Sequence, residues 1–456
     1  MPTENLVTIN LPGSKSITNR VLICAALAKG RTRIFGWADC EDSRYMISAL
    51  KALGVRINFK FQILNFKSNL KSKSQINYLE VWGGIDKLRL PKKSIYVGNA
   101  GTTLRFLVTL LGLVAHRQRQ NTSNLSSTIL TGSIRMRERP VGDLLEALVP
   151  LGVKIESVKK NGCPPLKIQS SKSCLIGRQV KIQNLGGRTI LNGGASSQYL
   201  SSILLSAPYF EESSEIKIQG KLTSRPYAEM TQEVMQAFGV KVTNKNYQIF
   251  KVPGGTQYHE CDFKVAPDAS AASYFMAGAV LSGKRVQLPG LKLDAGGDVN
   301  FIKILQQLQP SARFKASKIG LDLKGGQGLR GGTFDLNDMP DMVPTLAVLA
   351  MFAAGRTRIK NIANLRLKET DRLRALATEI RKFGVAVKER PTGLEIVGCP
   401  DIKKPLSKII VETYNDHRLA MAFAVAKLIL PGIIIKNPKC VAKSFPDFWQ
   451  EWKKMQ

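Results

Sequence analysis

The chain has 456 residues, 44% of them apolar and 7% aromatic, and its 67 basic and 34 acidic side chains give a formal net charge of +33. That length exceeds what one hydrophobic core usually supports, so two domains or a repeat array are expected, and the composition fits a globular, enzyme-like protein. The longest apolar stretches, such as 343–354, fall short of the roughly 20 residues that span a bilayer, and the run at 419–435 is broken by Lys427 and Pro431. The opening MPTENLVTIN has no apolar h-region and the first motif begins at Leu11, so no targeting peptide is expected. Seven scattered cysteines (Cys24, Cys40, Cys163, Cys174, Cys261, Cys399, Cys440) with no CxxC spacing indicate neither a disulfide framework nor a zinc site, and suit a reducing cytoplasm. Only three histidines are present, which argues against a His-based metal site. The positive charge admits nucleic acid as a second class of ligand, but the basic residues are spread along the whole chain rather than gathered in one arm.

In chain order, the first distinctive segment is LPGSKSITNR at 11–20, ahead of an apolar helical stretch, VLICAALA. Helix openings favour Asp or Glu, because the dipole and the free N–H groups attract negative charge. Lys15 and Arg20 in that place suggest that the negative charge arrives with a ligand. Gly followed by Ser-Lys-Ser can form a nest of backbone N–H groups beside a point charge, although a Pro-Gly turn with an N-cap reads the same way. AALAKGRTRIFG (25–36) ends that helix in Gly and begins a basic strand, and ALKALGVRI, with Gly54-Val55, reads as an amphipathic helix, a C-terminal Gly and a β-branched strand. The densest basic region, 56–73, alternates Lys with Phe, Ile and Leu and reads as a strand and loop with a solvated face.

GNAGTTLRF (98–106) uses small residues that let backbone approach a ligand, with Arg105 following on an apolar helix; HRQRQNTSN (116–124) reads as a basic surface loop. TGSIRMRERP (131–140) sets Arg135, Arg137 and Arg139 at alternate positions, so an extended chain faces all three one way. ALVPLGVKI, with Gly152-Val153, repeats the helix-Gly-strand phrase. GGASSQYLSS (193–202) then offers hydroxyls and an amide before an apolar helix, and VMQAFGVKV, with Gly239-Val240, repeats the phrase again. PGG at 253–255 and PDASAAS at 267–273 mark a break between halves.

AGAVLSGKRVQLPG (277–290) echoes 25–36, and ILQQLQPSARF is a degenerate copy of the Gly-Val phrase near Gln309. DLNDMPDMVPTLAVLA (335–350) puts Asp341 at the head of an apolar run, and MFAAGRTRIKN (351–361) is a third echo. LKETDRLRAL (367–376), read as helix, places Lys368 and Arg372 four apart on one face with Glu369 adjacent; an exposed salt-bridged helix reads alike. EIRKFGVAV closes the Gly-Val series at Gly384-Val385. TYNDHRLAMAFA (413–424) sets Asn, Asp, His and Arg before a buried-looking helix, and AKSFPDFW (442–449) presents Lys443 before a Pro-started one. A phrase recurring every roughly 70 to 100 residues is too long for a solenoid and suits a multi-element repeat in two pseudo-symmetric α/β halves.

Together these segments supply Lys15, Arg20, Arg105, Arg135, Lys368, Arg372, Arg418 and Lys443, with Asp341 and Glu369 as the prominent acids. No Ser/His/Asp order, Cys nucleophile or metal spacing emerges. An excess of cations around one or two carboxylates suits substrates bearing phosphate and carboxylate, with acid–base chemistry between them.

LPGSKSITNR, GNAGTTLRF, TGSIRMRERP, ASSQYLSS, TSRPYAEMT, PDMVPTLA, LKETDRL, TYNDHRLAMAFA and AKSFPDFW, in this order over nearly the whole chain, resemble the 5-enolpyruvylshikimate-3-phosphate synthase family. The resemblance implies an α/β (α+β) fold of two pseudo-symmetric domains, each of three βαβαββ repeats (an inside-out α/β barrel), hinged around a central cleft. The implied domains are 1–13 with 267–456, and 14–266. It implies transfer of the enolpyruvyl group of phosphoenolpyruvate to the 5-hydroxyl of shikimate 3-phosphate, with release of phosphate through a tetrahedral ketal, towards chorismate and the aromatic amino acids. Carried over by motif, shikimate 3-phosphate would meet Lys15, Ser16, Arg20, Ser196, Ser197, Gln198, Ser224, Tyr227, Asp341, Asn364 and Lys368. Phosphoenolpyruvate would meet Lys15, Asn99, Gly101, Arg135, Gln198, Arg372, Arg418 and Lys443, with Arg105 a supporting cation. Asp341 is the implied base and Glu369 the proton donor, with Lys15 competing for one transfer. No metal or organic cofactor, membrane or nucleic acid is implied, and the resemblance is to a cytoplasmic monomer.

The UDP-N-acetylglucosamine enolpyruvyltransferases share the implied fold and donor, but carry a Cys in the loop after the second motif and begin GAKN. Residues 111–139 here hold no Cys and the start is GSKS. Phe106 stands where many members of the resembled family have Pro or Leu, and is expected to support the helix beneath Gly101 rather than touch substrate. That departure removes any expectation about sensitivity to glyphosate, a phosphoenolpyruvate mimic in the family.

Overall fold

The computed structural model describes residues 6–64, 74–121, 126–170, 184–293, 297–402 and 408–456. Cys174 and the parts of the two basic stretches at 65–73 and 122–124 lie outside those residues. The chain divides into two compact units, one of Met1–Ser14 with Ala266–Gln456 and one of Lys15–Val265.

Within the Lys15–Val265 unit, the Gly30–Phe35 strand lies parallel to Asp262–Lys264 and antiparallel to Ser74–Gly83, which pairs antiparallel with Arg56–Leu64. The same order recurs in Ile95–Tyr96, Ser127–Thr131, Leu166–Gln169 and Ile155–Ser157. It recurs again in Gly187–Asn192, Ser214–Gln219, Ile249–Val252 and Thr243–Lys245. The other unit repeats it in Leu6–Thr8, Arg285–Pro289, Gly320–Lys324 and Arg313–Ala316, and in Thr333–Asp335, Gly355–Lys360, Gly393–Gly398 and Ala386–Arg390. A sixth copy keeps only the parallel pair, Ile409–Val411 with Ile433–Ile435, before the Phe448–Lys453 helix. The copies that begin at Ile95, Gly187 and Thr333 run strand, helix, strand, helix, strand, strand along the chain, whereas the sheets of Gly30–Phe35 and Arg285–Pro289 take their parallel first strand from distant chain, Asp262–Lys264 and Leu6–Thr8. Parallel neighbours need a crossover, and a helix supplies it; the last two strands can then follow as antiparallel neighbours.

The two helices of a repeat differ in kind. The first is apolar nearly all round and buried: Lys15–Leu27, Gly101–Asn121 and Ser197–Ser206 in one unit, Ala269–Ser282, Val343–Met351 and His417–Lys427 in the other. In each unit these three pack on one another and form the centre of its hydrophobic core. A helix without a polar face has to sit inside. The second helices, such as Glu41–Ala52, Arg225–Ala237 and Arg372–Arg381, keep exposed faces and cover the outside of the core. Gly54, Gly152, Gly239 and Gly384 just beyond four of them all have left-handed φ, between 72° and 102°. Gln309, at the fifth such place, has φ −139°, so the degenerate copy of the phrase needs no Gly.

A second use of glycine was not legible in the sequence. A Cβ on Gly83, Gly325 or Gly398 would lie 2.0–2.2 Å from a carbonyl oxygen (Ala25, Ala279 and Ala353 respectively). In three repeats the end of the last strand thus seats directly on the C-terminal turn of the buried helix. The basic loop expected at 116–124 is instead helical as far as Asn121. Neither Gly nor Pro interrupts the run, Gln and Arg are good helix formers, and Gln120 donates to Glu211 Oε1 at 3.2 Å. Among the described residues no helix is long and apolar enough to cross a membrane.

Gly83→Ala is expected to cost about 1–3 kcal/mol or more of stability, because the clash is with backbone and not with a side chain that can swing away. Gly384→Ala, which meets nothing within 4 Å and only strains φ, is expected to cost less. Urea unfolding of both variants checks the order.

Candidate active site

The expected residues fall into two clusters, one in each unit, and in each the chemistry gathers at the N-terminal ends of the buried helices. In the Lys15–Val265 unit, Lys15 is the first residue of its helix, and no acid stands in that helix's first turn. Its ammonium lies 2.9 Å from Asp42 Oδ2, on the opening turn of the Glu41–Ala52 helix. The Asp42 carbonyl accepts from the Thr103 hydroxyl at 3.0 Å, which ties in the Gly101–Asn121 helix. Arg105 on that helix donates to Gln198 Oε1 at 2.5 Å, and Gln198 Nε2 donates back to Thr102 Oγ1 at 3.0 Å. Ser196 caps the Ser197–Ser206 helix by accepting from the Gln198 N–H. Three helix mouths are thereby fastened together.

Arg20 lies beneath them at 1% exposure. It donates to Thr231 Oγ1 (2.8 Å), the Ser16 carbonyl (2.8 Å), Ser201 Oγ (3.2 Å) and the Tyr227 carbonyl (3.1 Å). Its guanidinium also faces the Phe106 ring at 5.1 Å and the Tyr227 ring at 5.9 Å. Every one of these partners is neutral, and burial lowers the Arg20 pKa to about 10. Phe106 is buried under this arginine, so the departure from Pro or Leu supplies an aromatic face to a buried cation. Arg105, at 5% exposure, likewise has neutral partners among the described residues, Gln198 and the Tyr199 ring.

The three arginines of RMRER do not face one way. Arg135–Glu138 is a turn of 3₁₀ helix, which rotates alternate residues apart. Arg135 pairs with Glu138 at 3.0 Å, Arg137 is exposed, and Arg139 is buried. Arg139 NH1 donates to both the carbonyl and Oδ1 of Asn99 at 3.2 Å. A Cβ on Gly101 would lie 2.6 Å from its guanidinium. Gly101 is therefore the residue that lets the 99–101 turn close over Arg139. Ser224 stands at the mouth of the Arg225–Ala237 helix with left-handed φ 56°.

In the other unit, Asp341 sits in the turn that opens the Val343–Met351 helix. Arg418 NH2 lies 2.7 Å from its Oδ2; Arg372 NH1 and Lys368 Nζ lie 3.1 Å and 3.6 Å from its Oδ1. Arg372, at 1% exposure, also contacts Asp416 (2.7 Å) and Glu369 (2.8 Å). Lys443 lies 3.9 Å from Glu369. Asp416 is fully buried and caps the His417–Lys427 helix by accepting from the Arg418 N–H at 2.9 Å. Asn364 Oδ1 is buried with no hydrogen-bond partner among the described residues.

Lys368 and Arg372 reach Asp341, but not as one helical face. Asp371 accepts from the Arg374 N–H and caps the helix, which begins only at Arg372, so Lys368 and Glu369 belong to the preceding turn. The expectation of two prominent acids was also too small. Asp42 and Asp416 are buried in the clusters; the sequence marks Asp416 only as a charge before a buried-looking helix and Asp42 not at all, because only tertiary folding brings them to Arg372 and Lys15.

The electrostatics follow from these distances. Burial raises the Asp341 pKa, but Arg418, Lys368 and Arg372 outweigh it and hold the carboxyl far below the usual carboxylate range. Burial lowers the Arg372 pKa, and Asp416, Glu369 and Asp341 more than restore it. Asp298, hydrogen-bonded to Ser270 at the mouth of the Ala269–Ser282 helix, is pushed up to about 6 by burial and by the Asp341 charge. Its folded pKa is raised, so the stability it contributes is present below about pH 4 and is lost as pH rises through about 6. Asp298→Asn is therefore expected to flatten the fall in stability between those values and to stabilise the protein at pH 7 by up to about 3 kcal/mol, read by denaturation at several pH values.

Residues 5–452 match the family described as EPSP synthase (3-phosphoshikimate 1-carboxyvinyltransferase). The 3-phosphoshikimate 1-carboxyvinyltransferase of Hamiltonella defensa is 39% identical over 97% of this chain and 95% of that protein. The enzyme of the same name from Proteus mirabilis is 38% identical over the same shares. A solved EPSP synthase from Acinetobacter baumannii superposes with a TM-score of 0.72 at 26% identity, covering 100% of this chain and 97% of that one. Matched along nearly its whole length, with five of its nine signature segments at the mouths of buried helices, the chain belongs to the EPSP synthase family.

Proposed function

We propose that residues of both clusters bind the two substrates of the family's reaction and that Asp341, Glu369 and Lys15 among them carry its proton transfers. The chain is a 3-phosphoshikimate 1-carboxyvinyltransferase: it moves the enolpyruvyl group of phosphoenolpyruvate to shikimate 3-phosphate and releases phosphate, a step of the shikimate pathway. The residue roles are our reading. Lys15, Ser16, Arg20, Ser196, Ser197, Gln198, Ser224, Tyr227, Asp341, Asn364 and Lys368 take shikimate 3-phosphate. Lys15, Asn99, Gly101, Arg135, Gln198, Arg372, Arg418 and Lys443 take phosphoenolpyruvate.

The observation that carries this reading is Arg20. A guanidinium at 1% exposure with only neutral partners is costly unless an anion completes it. Four of its five N–H groups are committed to protein, so it offers one NH1 hydrogen and its charge. Each substrate carries a phosphate of about −1.5 to −2 beside a carboxylate. Two such anions repel one another, and preorganised cations together with helix mouths offset that repulsion before any bond forms.

In the chemical step, the 5-hydroxyl attacks C2 of phosphoenolpyruvate and yields its proton to Asp341, while C3 gains a proton from Glu369. Glu369, now a carboxylate, withdraws a methyl proton as the tetrahedral ketal expels phosphate, which regenerates the double bond, and the departing phosphate takes the proton held by Asp341. Lys15, an ammonium with a proton to give, is the alternative donor. Protonation at C3 makes C2 cation-like, and nearby carboxylates stabilise it. Asp341, held ionised by three cations, is a weak base in the unliganded protein. Anionic substrate groups that share Arg372 and Arg418 weaken that hold and raise its basicity.

Phosphate release should require both substrates together. Asp341→Asn is expected to retain both ligands and lose at least about 100-fold in kcat; normal turnover removes Asp341 from the mechanism. Arg20→Ala is expected to weaken shikimate 3-phosphate binding by about 30-fold or more, and Arg372→Ala to do the same for phosphoenolpyruvate. Calorimetric titration of each ligand checks the division, and equal losses for both ligands in both variants contradict it.

A further inference from the structure

We infer that Glu379, a residue outside the set assigned above, is a positioning residue for the phosphoenolpyruvate cations: its carboxylate holds the turn at 413–416 that aims Arg372, Arg418 and Lys443. The inference rests on the assignment of those three cations to phosphoenolpyruvate.

Glu379 lies on the Arg372–Arg381 helix and is 0% exposed. A carboxylate so placed is expensive and needs partners. Among the described residues it has three, one in the turn and one on the residue just before it. Oε1 accepts from the Tyr414 hydroxyl at 2.8 Å, and Oε2 accepts from the Glu412 N–H at 3.0 Å and from Lys382 Nζ at 2.6 Å. Burial, with the bond to Glu379, raises the Tyr414 pKa, so the hydroxyl remains a donor.

The turn needs to be held. Tyr414 and Asn415 both have left-handed backbones, φ 50° and 55°, and neither is Gly. Consecutive non-glycine residues in that region persist only where the surroundings impose them. The Asp416 N–H donates to the Thr413 carbonyl at 2.8 Å and the Thr413 hydroxyl to the Lys436 carbonyl at 3.0 Å.

Each cation connects to this turn by a separate route. Asp416, where the turn ends, grips Arg372 through both carboxylate oxygens, at 2.7 Å and 3.2 Å. The same side chain caps the helix that carries Arg418. Asn415 Oδ1 accepts from Asn437 Nδ2 at 3.1 Å, and Asn437 opens the Pro438–Lys443 turn of 3₁₀ helix that ends in Lys443. Release of Tyr414 from Glu379 removes one tether from a turn that connects to all three cations.

The test uses the full chain with Glu379→Gln, Tyr414→Phe and Arg418→Ala. Tyr414→Phe deletes one hydrogen bond at a side chain that is 42% exposed, so folding is not at stake there. KM for phosphoenolpyruvate is measured at saturating shikimate 3-phosphate, and the Kd of shikimate 3-phosphate is measured alone by calorimetry. Both tether variants are expected to raise the phosphoenolpyruvate KM about tenfold, with a smaller fall in kcat and the shikimate 3-phosphate Kd within about twofold of the unaltered protein. A merely structural role would weaken both ligands together, and that result overturns the inference. So does an unchanged phosphoenolpyruvate KM in Tyr414→Phe, whatever becomes of Glu379→Gln. If Arg418→Ala raises that KM while the tether variants do not, the tether falls and the assignment stands; if Arg418→Ala leaves it unchanged, the assignment falls and the inference with it.

Discussion

Arg372 and its three carboxylates are the interaction on which much of this chemistry depends. A guanidinium buried to 1% is touched by Asp416, Glu369 and Asp341, from three different segments of the chain. Buried ion pairs seldom add stability over apolar side chains of the same volume, since desolvation offsets most of the attraction. They do fix geometry, because each partner left alone would be a buried uncompensated charge. The cluster locks the proposed base, the proposed proton donor and the cation we assign to phosphoenolpyruvate to one another.

Apart from the Lys15–Asp42 pair, the two units solve the burial of charge in opposite ways. In the unit of Ala266–Gln456, the cations are neutralised internally by Asp341 and Glu369, with which, on the proposed roles, an anionic substrate would compete. In the unit of Lys15–Val265, Arg20 and Arg105 are held by hydroxyls, carbonyls, an amide and aromatic faces. There the counter-charge has to come from the ligand. Both arrangements occur at the same point in the repeat, the mouth of a buried helix, where the helix dipole already favours an anion. None of the six buried helices carries an acidic residue in its first turn.

That much was legible in the sequence because it is local. Lys and Arg at the opening of VLICAALA, Asp341 at the head of an apolar run, and the recurring Gly-Val phrase each express a choice made within about ten residues. Where periodicity alone was the guide, local detail intervened. A 3₁₀ turn separates Arg135, Arg137 and Arg139, and a cap at Asp371 starts its helix after Lys368. The roles of the supports were not legible, even where Arg139 and Asp416 stood in segments already marked as charged. Asp42, Arg139, Asp416 and Glu379 acquire meaning only from partners brought by folding, Arg139 from a glycine 38 positions away and Asp416 from an arginine 44 positions away. The glycines that seat strand ends on helix carbonyls are likewise silent, since a close approach of two backbones leaves no local pattern.

The restraint on Asp341 has a consequence for the order of events. With three cations beside it, this carboxylate is stable and unreactive, and any group that draws Arg372 or Arg418 towards itself makes it a better base. A phosphate or carboxylate does so, whereas a neutral molecule of the same shape does not. Basicity is thus tied to the presence of the anionic co-substrate, and the hydroxyl it is meant to deprotonate is left alone until there is something to attack. An isolated Asp of ordinary pKa would be the stronger base in the empty protein but would carry no such dependence. On the roles proposed above, the paired carboxylates make productive chemistry conditional on which anion has arrived.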